Sequence, residues 1–257
     1  MLTHKSNTFF LLAVLFLLSI LSFYIEIKGY YFVLVFFFWL LIAVAGSGLI
    51  RMNYHLKAHS RSFSSDRKIA ITFDDGPTEI TPEVLDVLKK NSVKATFFCI
   101  GNQIEKHPEI FDRIIAEGHV IGNHSFTHSK NIGFFSKEKM LEEISQTDIS
   151  IAKFLGKKPR YYRPPFGVTN PSTAKALKET KHFVIGWNVR SLDTKIKTEE
   201  KILKRIKSRI SPGSIILLHD TSLKSLRVLE QLLVFLQENN YEAVTVEQLL
   251  KIPTYEN

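Results

Sequence analysis

Two adjacent carboxylates, Asp74 and Asp75, end an apolar run, Ile69-Ala70-Ile71-Thr72-Phe73, and are followed by Gly76-Pro77. Neighbouring residues on a strand point to opposite sides, so the two acids have different tasks. Their mutual repulsion also calls for a neutralising partner, a metal ion or an arginine. Asn123-His124-Ser125-Phe126-Thr127-His128 spaces two imidazoles at i and i+4. On a helical turn such a pair lies on one face, about 5–6 Å apart at Cβ, within reach of a single ion. With Asp75, the pair supplies two neutral nitrogens and one carboxylate. This facial set leaves water positions open on a divalent cation, Zn2+ by default, with Co2+, Mn2+ or Ni2+ as alternatives. If Asp75 is the ligand, Asp74 is free to act as a base toward a water on that ion. The competing reading of Asp-Asp-Gly is a tight turn with both acids in solvent, which would not need an apolar strand running up to it.

Two further segments offer groups for acyl chemistry. In Tyr161-Tyr162-Arg163-Pro164-Pro165-Phe166-Gly167, the prolines carry no N–H, so the Phe166 N–H is the first donor after Arg163. A guanidinium can orient a base carboxylate, and a free backbone N–H can serve an oxyanion. Ser214-Ile215-Ile216-Leu217-Leu218-His219-Asp220 repeats the design of the first strand, an apolar run stopping on a titratable pair. His219 is a natural general acid for a leaving amine. Asp193 is the expected carboxylate partner of His219, with Asp220 as the alternative.

The elements that must position these groups alternate along the chain. Apolar runs end near Asp74, Cys99, Asn123, Arg163, Trp187 and His219, with a last strand expected at Tyr241 to Val246. Helical patterns fill the gaps, several opening with Thr, Ser or Asn and a proline in the first turn. Seven strands alternating with helices imply a parallel α/β structure, most economically closed as a distorted (β/α)7-type barrel, with function at the strand C-termini.

Residues 6 to 25 and 29 to 50 carry no charge, and each stretch approaches the ~20 apolar residues that cross a bilayer. A transmembrane hairpin over 1–55 is expected, with spans at about 7–25 and 29–50. A juxtamembrane linker at 56–66 and a catalytic domain at 67–252 follow. A cleaved signal peptide would have a shorter apolar core and a small-residue cleavage site after it, which the first run lacks. Lys5 precedes the hairpin and Arg51, Lys57, Arg61, Arg67 and Lys68 follow it, whereas its turn holds only Lys28 against Glu26. The positive-inside bias then puts both ends in the cytoplasm of a two-pass cell-membrane protein, although a cell-wall substrate would require the opposite side. Residues 1 to 50 hold Lys5, Lys28 and Glu26, so the remainder keeps about +8 of the overall +9. That balance suits anionic lipid or acidic polymers; no recognition motif points to nucleic acid. The single cysteine, Cys99, excludes an intramolecular disulfide and reads as a core residue.

Taken together, Thr72-Phe73-Asp74-Asp75-Gly76, His124 to His128, Arg163 to Gly167, the segment ending on Asp193, and Leu217-Leu218-His219 resemble the motifs of the polysaccharide deacetylase family, in its order, over about residues 66–250. The resemblance implies a distorted (β/α) barrel short of eight strands. It also implies Asp74 as catalytic base, Asp75, His124 and His128 as metal ligands, and Arg163 as the arginine orienting the base. The Phe166 N–H would be the oxyanion donor and His219 the general acid tethered by Asp193. Leu217 matches a side chain that packs on the acyl methyl, and Pro165 and Trp187 are expected beside it at the substrate. Two positions depart from the pattern: Thr194 stands where many members have Trp, and Arg190 where several have an acid or a small residue.

The activity implied is metal-dependent removal of N-acetyl groups from amino sugars of peptidoglycan or a chitin-like polysaccharide. Deacetylation or deformylation of a lipid-linked amino sugar on the cytoplasmic face is the alternative. A carbohydrate-binding relic of the fold is the non-enzymatic reading, disfavoured because no ligand and no base is missing.

Overall fold

The computed structural model describes residues 2–64 and 66–256. The chain opens with two apolar helices, α1 (His4–Leu21) and α2 (Tyr30–Gly48), packed side by side. Each is long and apolar enough to cross a membrane, at about 27 Å or more for a rise of 1.5 Å per residue. Phe9, Phe16 and Leu41 are among the large apolar side chains they hold outward. Polar contacts gather at the open end of the hairpin. Asn7 Nδ2 donates to the Tyr54 hydroxyl at 2.7 Å, the His4 N–H to the Tyr54 carbonyl at 2.8 Å, and the Thr169 N–H to the Ser47 carbonyl at 2.9 Å. Gly46 lets α2 seat directly on Tyr54, whose ring would stand 2.3 Å from an added Cβ. The hairpin is thus bonded to the domain that follows.

That domain contains the strands β1 (Ala58–His59), β2 (Lys68–Asp74), β3 (Thr96–Cys99), β4 (Val120–Asn123), β5 (Tyr161–Tyr162), β6 (Phe183–Ile185), β7 (Val189–Arg190), β8 (Ile215–His219) and β9 (Glu242–Val244). The helices between and after them are α3 (Thr81–Lys90), α4 (Gly101–Lys106), α5 (Pro108–Ala116), α6 (Lys137–Leu155), α7 (Pro171–Thr180), α8 (Glu199–Lys207), α9 (Leu223–Glu238) and α10 (Val246–Leu250). The nine strands form one sheet in the order β1-β6-β5-β4-β3-β2-β8-β7, with β9 also beside β2. Every ladder is parallel. This is the curled (β/α)-type barrel expected from the alternation, with β1 and β7 at its two edges. Two strands exceed the expected seven because β1 and β7 have two residues each, too few to show a period. β1 falls inside residues 56–66, the stretch expected as a linker. The chain just after β1 bridges the sheet's gap: the Ser62 N–H donates to the Gly213 carbonyl at 2.8 Å, and Arg61 pairs with Ser214.

Local sequence explains the helix ends. Ser136 caps α6 by accepting from the Lys139 N–H at 3.2 Å, and Gly156 ends it in the left-handed region at φ 64°. Thr245 and Gln248 form a capping box on α10.

Strand parity divides the core and aims the candidate site residues. Ile69, Ile71 and Phe73 of β2 join the apolar layer under the helices, together with Ile121, Ile216 and Leu218. The alternate residues, Ala70, Val120, Ile215 and Leu217, join the cluster inside the barrel with Phe98, Tyr161, Tyr162 and Trp187. Asp74 shares the parity of Ala70, His124 that of Val120, and His219 that of Leu217. All three therefore face the barrel interior at strand C-terminal ends.

Candidate active site

Asp74 is the last residue of β2 and lies beside His219, the last of β8, in the parallel register. Its Oδ1 receives Arg163 Nη1 at 2.7 Å. The Arg163 guanidinium is fully buried and spends its other donors on Thr72 Oγ1 at 2.7 Å, the Ile185 carbonyl at 3.0 Å and the Gly186 carbonyl at 3.0 Å. So many fixed partners leave it one position, and Asp74 with it. Burial pulls the Arg163 pKa down, and the Asp74 charge opposes that pull.

Asp75 leaves the strand through the left-handed region, with φ 75°. This reversal carries its carboxylate to the same side as Asp74, which a continuing strand would forbid. A non-glycine residue held there costs roughly 1–3 kcal/mol, the kind of local strain that collects at functional sites. Asp75 Oδ1 lies 3.4 Å from both His124 Nε2 and His128 Nε2, and the three ligand-type atoms lie within 4.8 Å of one another.

The donor set fits a cation. His124 Nδ1 donates to the Arg163 carbonyl at 2.7 Å, which leaves a lone pair on the Nε2 that faces Asp75. Among the described residues, Asp75 Oδ1 is buried without a hydrogen-bond partner. Burial, then the nearby His124, lowers the His128 pKa to about 4, so its imidazole is neutral near pH 7. Three ligand-type atoms gathered around one point, one of them a buried carboxylate oxygen without a hydrogen-bond partner among the described residues, suit a cation that would neutralise and satisfy them.

The histidines do not lie on a helical turn, as their spacing suggested. Residues 124–130 form a loop in which Ser125 and His128 take positive φ values of 66° and 48°. Glu143 of α6 holds this loop: it accepts from the Phe126 N–H at 3.0 Å, the Thr127 N–H at 2.8 Å and Thr127 Oγ1 at 2.8 Å. Asn123 ties it further, with Oδ1 accepting from the Ser125 N–H at 2.8 Å and Nδ2 donating to Asp148 Oδ1 at 2.7 Å.

Across the mouth, Asp193 and not Asp220 is the partner of His219. Asp193 Oδ1 takes His219 Nδ1 at 2.8 Å, while Oδ2 takes the His219 N–H at 2.8 Å and Ser225 Oγ at 2.9 Å. Ser191 Oγ and the Thr194 N–H complete the shell of Asp193 at 2.8 Å and 3.1 Å. Burial lowers the His219 pKa, but the hydrogen bond and charge of Asp193 outweigh it, with Asp74 and Asp75 adding, and raise it to about 9. His219 Nε2 is left pointing toward Asp75, 3.8 Å from Oδ2. Asp220 turns away instead, bonded to Thr81 Oγ1 at 2.5 Å under the Gly76 turn, and burial raises its pKa to about 7.

The Phe166 loop closes the site. Phe166 has φ 59°, and its N–H finds no protein acceptor among the described residues. Its ring is partly exposed and sits 4.6 Å from that of His128. Gly167, at φ 72°, rests on Trp187, which would stand 2.7 Å from an added Cβ. Pro165 is buried in this loop. Leu217 and Trp187, expected at the substrate, belong to the buried cluster beneath the site.

The family model described as polysaccharide deacetylase matches residues 62–185. A peptidoglycan-N-acetylglucosamine deacetylase of Bacillus cereus is 38% identical over 155 residues, 60% of this chain and 56% of the relative. The peptidoglycan-N-acetylmuramic acid deacetylase PdaA of Bacillus subtilis is 31% identical over 192 residues, 73% of each. The chain belongs to the polysaccharide deacetylase family. A solved peptidoglycan N-acetylglucosamine deacetylase, bound to 4-naphthalen-1-yl-N-oxidanyl-benzamide, superposes with a TM-score of 0.73 at 32% identity, covering 77% of this chain and 94% of that one. The chain spans 56% and 39% of the lengths of the first two curated relatives it matches.

Within this polysaccharide deacetylase domain, sequence reasoning overlooked Glu143, Ser191 and Ser225, which touch catalytic candidates or their loops. Glu143 did leave a signal. It falls on the buried stripe of α6 with Met140, Ile144, Thr147 and Ile151, where a carboxylate needs a partner. The serines carry no such mark.

Proposed function

We propose that this chain is a membrane-tethered, metal-dependent N-deacetylase acting on N-acetylated amino sugars of peptidoglycan, N-acetylglucosamine or N-acetylmuramic acid. The observation that carries it is the meeting of Asp75, His124 and His128 around one point, with Asp74 pinned beside them by Arg163. The names of the relatives supply the substrate class. A divalent metal held by Asp75, His124 and His128, with Zn2+ the first choice for two imidazoles and a carboxylate, would act as a Lewis acid on the acyl carbonyl and lower the pKa of a hydrolytic water to about 7.

The side chains account for the proton transfers. Asp74 has Oδ1 committed to Arg163 and Oδ2 free to take a proton from the attacking water. The Phe166 N–H is available to the oxyanion that develops on the acyl group. His219, protonated and turned by Asp193, delivers a proton from Nε2 to the leaving amine. Acetate and a free amino sugar result. α1 and α2 would tether the domain at the bilayer.

A second reading rests on charge. Lys5, Arg51, Lys57, Arg61, Arg67 and Lys68 flank the open end of the hairpin, against Lys28 and Glu26 at its turn. This asymmetry favours a cytoplasmic catalytic domain, with a lipid-linked N-acylated amino sugar as substrate.

One experiment separates these readings. The full chain would be assayed for bound metal and for amine release from N-acetylated peptidoglycan fragments and from a lipid-linked N-acetyl amino sugar. A reporter fused to the C-terminus would give the side. A chain that binds no divalent metal and releases no amine from either substrate would sink both readings.

A further inference from the structure

Arg51, just beyond the end of α2, faces a cavity of about 480 Å³ that it shares with Arg61, Arg190, Arg205 and Arg209. Four separate stretches deliver these side chains: the exit of α2, the exit of β1, strand β7, and α8 with the residues after it. Among the described residues, no carboxylate lines the cavity. Among the described residues, the arginine ion pairs belong to Arg113, Arg163 and Arg227, so these five cations face one another uncompensated. The crowding registers on Arg205, whose pKa is lowered first by burial and then by Arg209 and Arg190.

Backbone acceptors hold part of the cluster in place. Arg205 Nε donates to the Arg190 carbonyl at 2.8 Å, and Arg61 Nη2 to the Pro212 carbonyl at 3.3 Å. The remaining guanidinium donors suit an anion with several oxygens around one centre, since the planar fork of arginine matches phosphate geometry.

Position says which anion. Leu49 and Ile50, which continue directly from the uncharged α2, line the same cavity. The arginines therefore sit where an apolar span gives way to the folded domain, the level at which lipid phosphates lie. The cavity also shares a wall with the catalytic site. Trp187 stands with its ring centroid 5.6 Å from the Arg190 guanidinium and 5.6 Å from that of Arg163, and it backs Gly167.

We propose that this five-arginine pocket binds the phosphate or diphosphate headgroup of an anionic membrane lipid, seating the mouth of the catalytic domain against the bilayer surface. It rests on the reading of α1 and α2 as membrane spans.

The test uses the full chain in a non-ionic detergent, titrated with short-chain phosphatidate, short-chain phosphatidylcholine and inorganic pyrophosphate. Phosphatidate is expected to bind saturably, pyrophosphate to displace it, and phosphatidylcholine to have no effect. Added salt should weaken the binding. The pair Arg51→Gln/Arg209→Gln, at side chains with no long-range hydrogen bond, should weaken phosphatidate by roughly tenfold or more. Arg51→Lys/Arg209→Lys should recover much of that loss if the chain is folded and charge is what matters. Equal phosphatidate affinity in the wild type and the glutamine pair would overturn the proposal. So would binding of pyrophosphate, or of soluble dextran sulfate, without binding of phosphatidate. Failure of the span reading would show separately, as release of the chain from membranes by alkaline carbonate.

Discussion

Arg163 and Asp74 meet at 2.7 Å with both side chains almost wholly out of solvent. The same arginine offers its carbonyl to His124 Nδ1, also at 2.7 Å. One residue therefore fixes the carboxylate proposed as base with its side chain and the tautomer of a proposed metal-ligand histidine with its backbone. The side chain and the backbone can be separated by mutation, because substitution removes only the first.

Arg163→Met leaves Asp74 as an uncompensated buried charge. Losing one partner of such a pair costs about 3–5 kcal/mol of stability. The expected outcome is a clear fall in the denaturation midpoint together with loss of amine release. The double variant Arg163→Met/Asp74→Asn should regain stability but no activity. A single variant as stable as the wild type would show that the pair does not constrain Asp74.

Asp75→Ala and His128→Ala each remove one of three donors. Metal content of the purified chain and amine release should both drop to background, while the fold persists because neither side chain is part of the apolar core. Metal analysis alongside an activity assay checks this. Full activity without bound metal would end the assignment of these residues.

Glu143 touches no proposed ligand atom, yet it accepts from two N–H groups of the histidine loop, those of Phe126 and Thr127. Glu143→Ala should lower metal affinity roughly 10-fold to 100-fold, as loss of an outer partner does. Turnover at saturating metal should be much less affected. Competition with a chelator measures the first quantity, and steady-state kinetics in excess metal the second.

In the proposed mechanism, His219 must be protonated to supply the leaving amine with its proton. Its pKa is raised to about 9, so activity should hold through neutral pH and fall as pH rises through about 9. Asp193→Asn removes the charge that helps raise it and leaves at most a neutral hydrogen bond against the lowering effect of burial. The alkaline limb of kcat/KM should then move to lower pH. A limb that stays in place would show that another group controls it.

Much of this site was legible in the chain itself because strand ends announce themselves. Apolar runs that stop on Asp74-Asp75, on Asn123-His124 and on His219-Asp220 mark strand C-termini, and alternation between strands and helices makes the sheet parallel. Parity then fixes which way Asp74 and His219 face. The membrane-compatible helices were equally plain, since an uncharged stretch of that length is a property of composition alone.

What the chain could not reveal depends on contacts between distant segments. Spacing suggested a helical turn for His124 and His128, but Glu143, from a helix that begins nine residues later, pulls the loop into a different backbone. In sequence, Asp193 was the expected partner of His219 and Asp220 the alternative. Only the packing of α9, with Ser225 beside Asp193, and of α3, with Thr81 on Asp220, assigns one to each task. Likewise, five arginines spread from residue 51 to residue 209 read as scattered surface charge until the barrel draws them around one cavity. Sequence determines local periodicity and the chemistry on offer, because these depend on neighbours along the chain. Tertiary structure decides which groups pair, because that depends on distances the chain closes only when its core is packed.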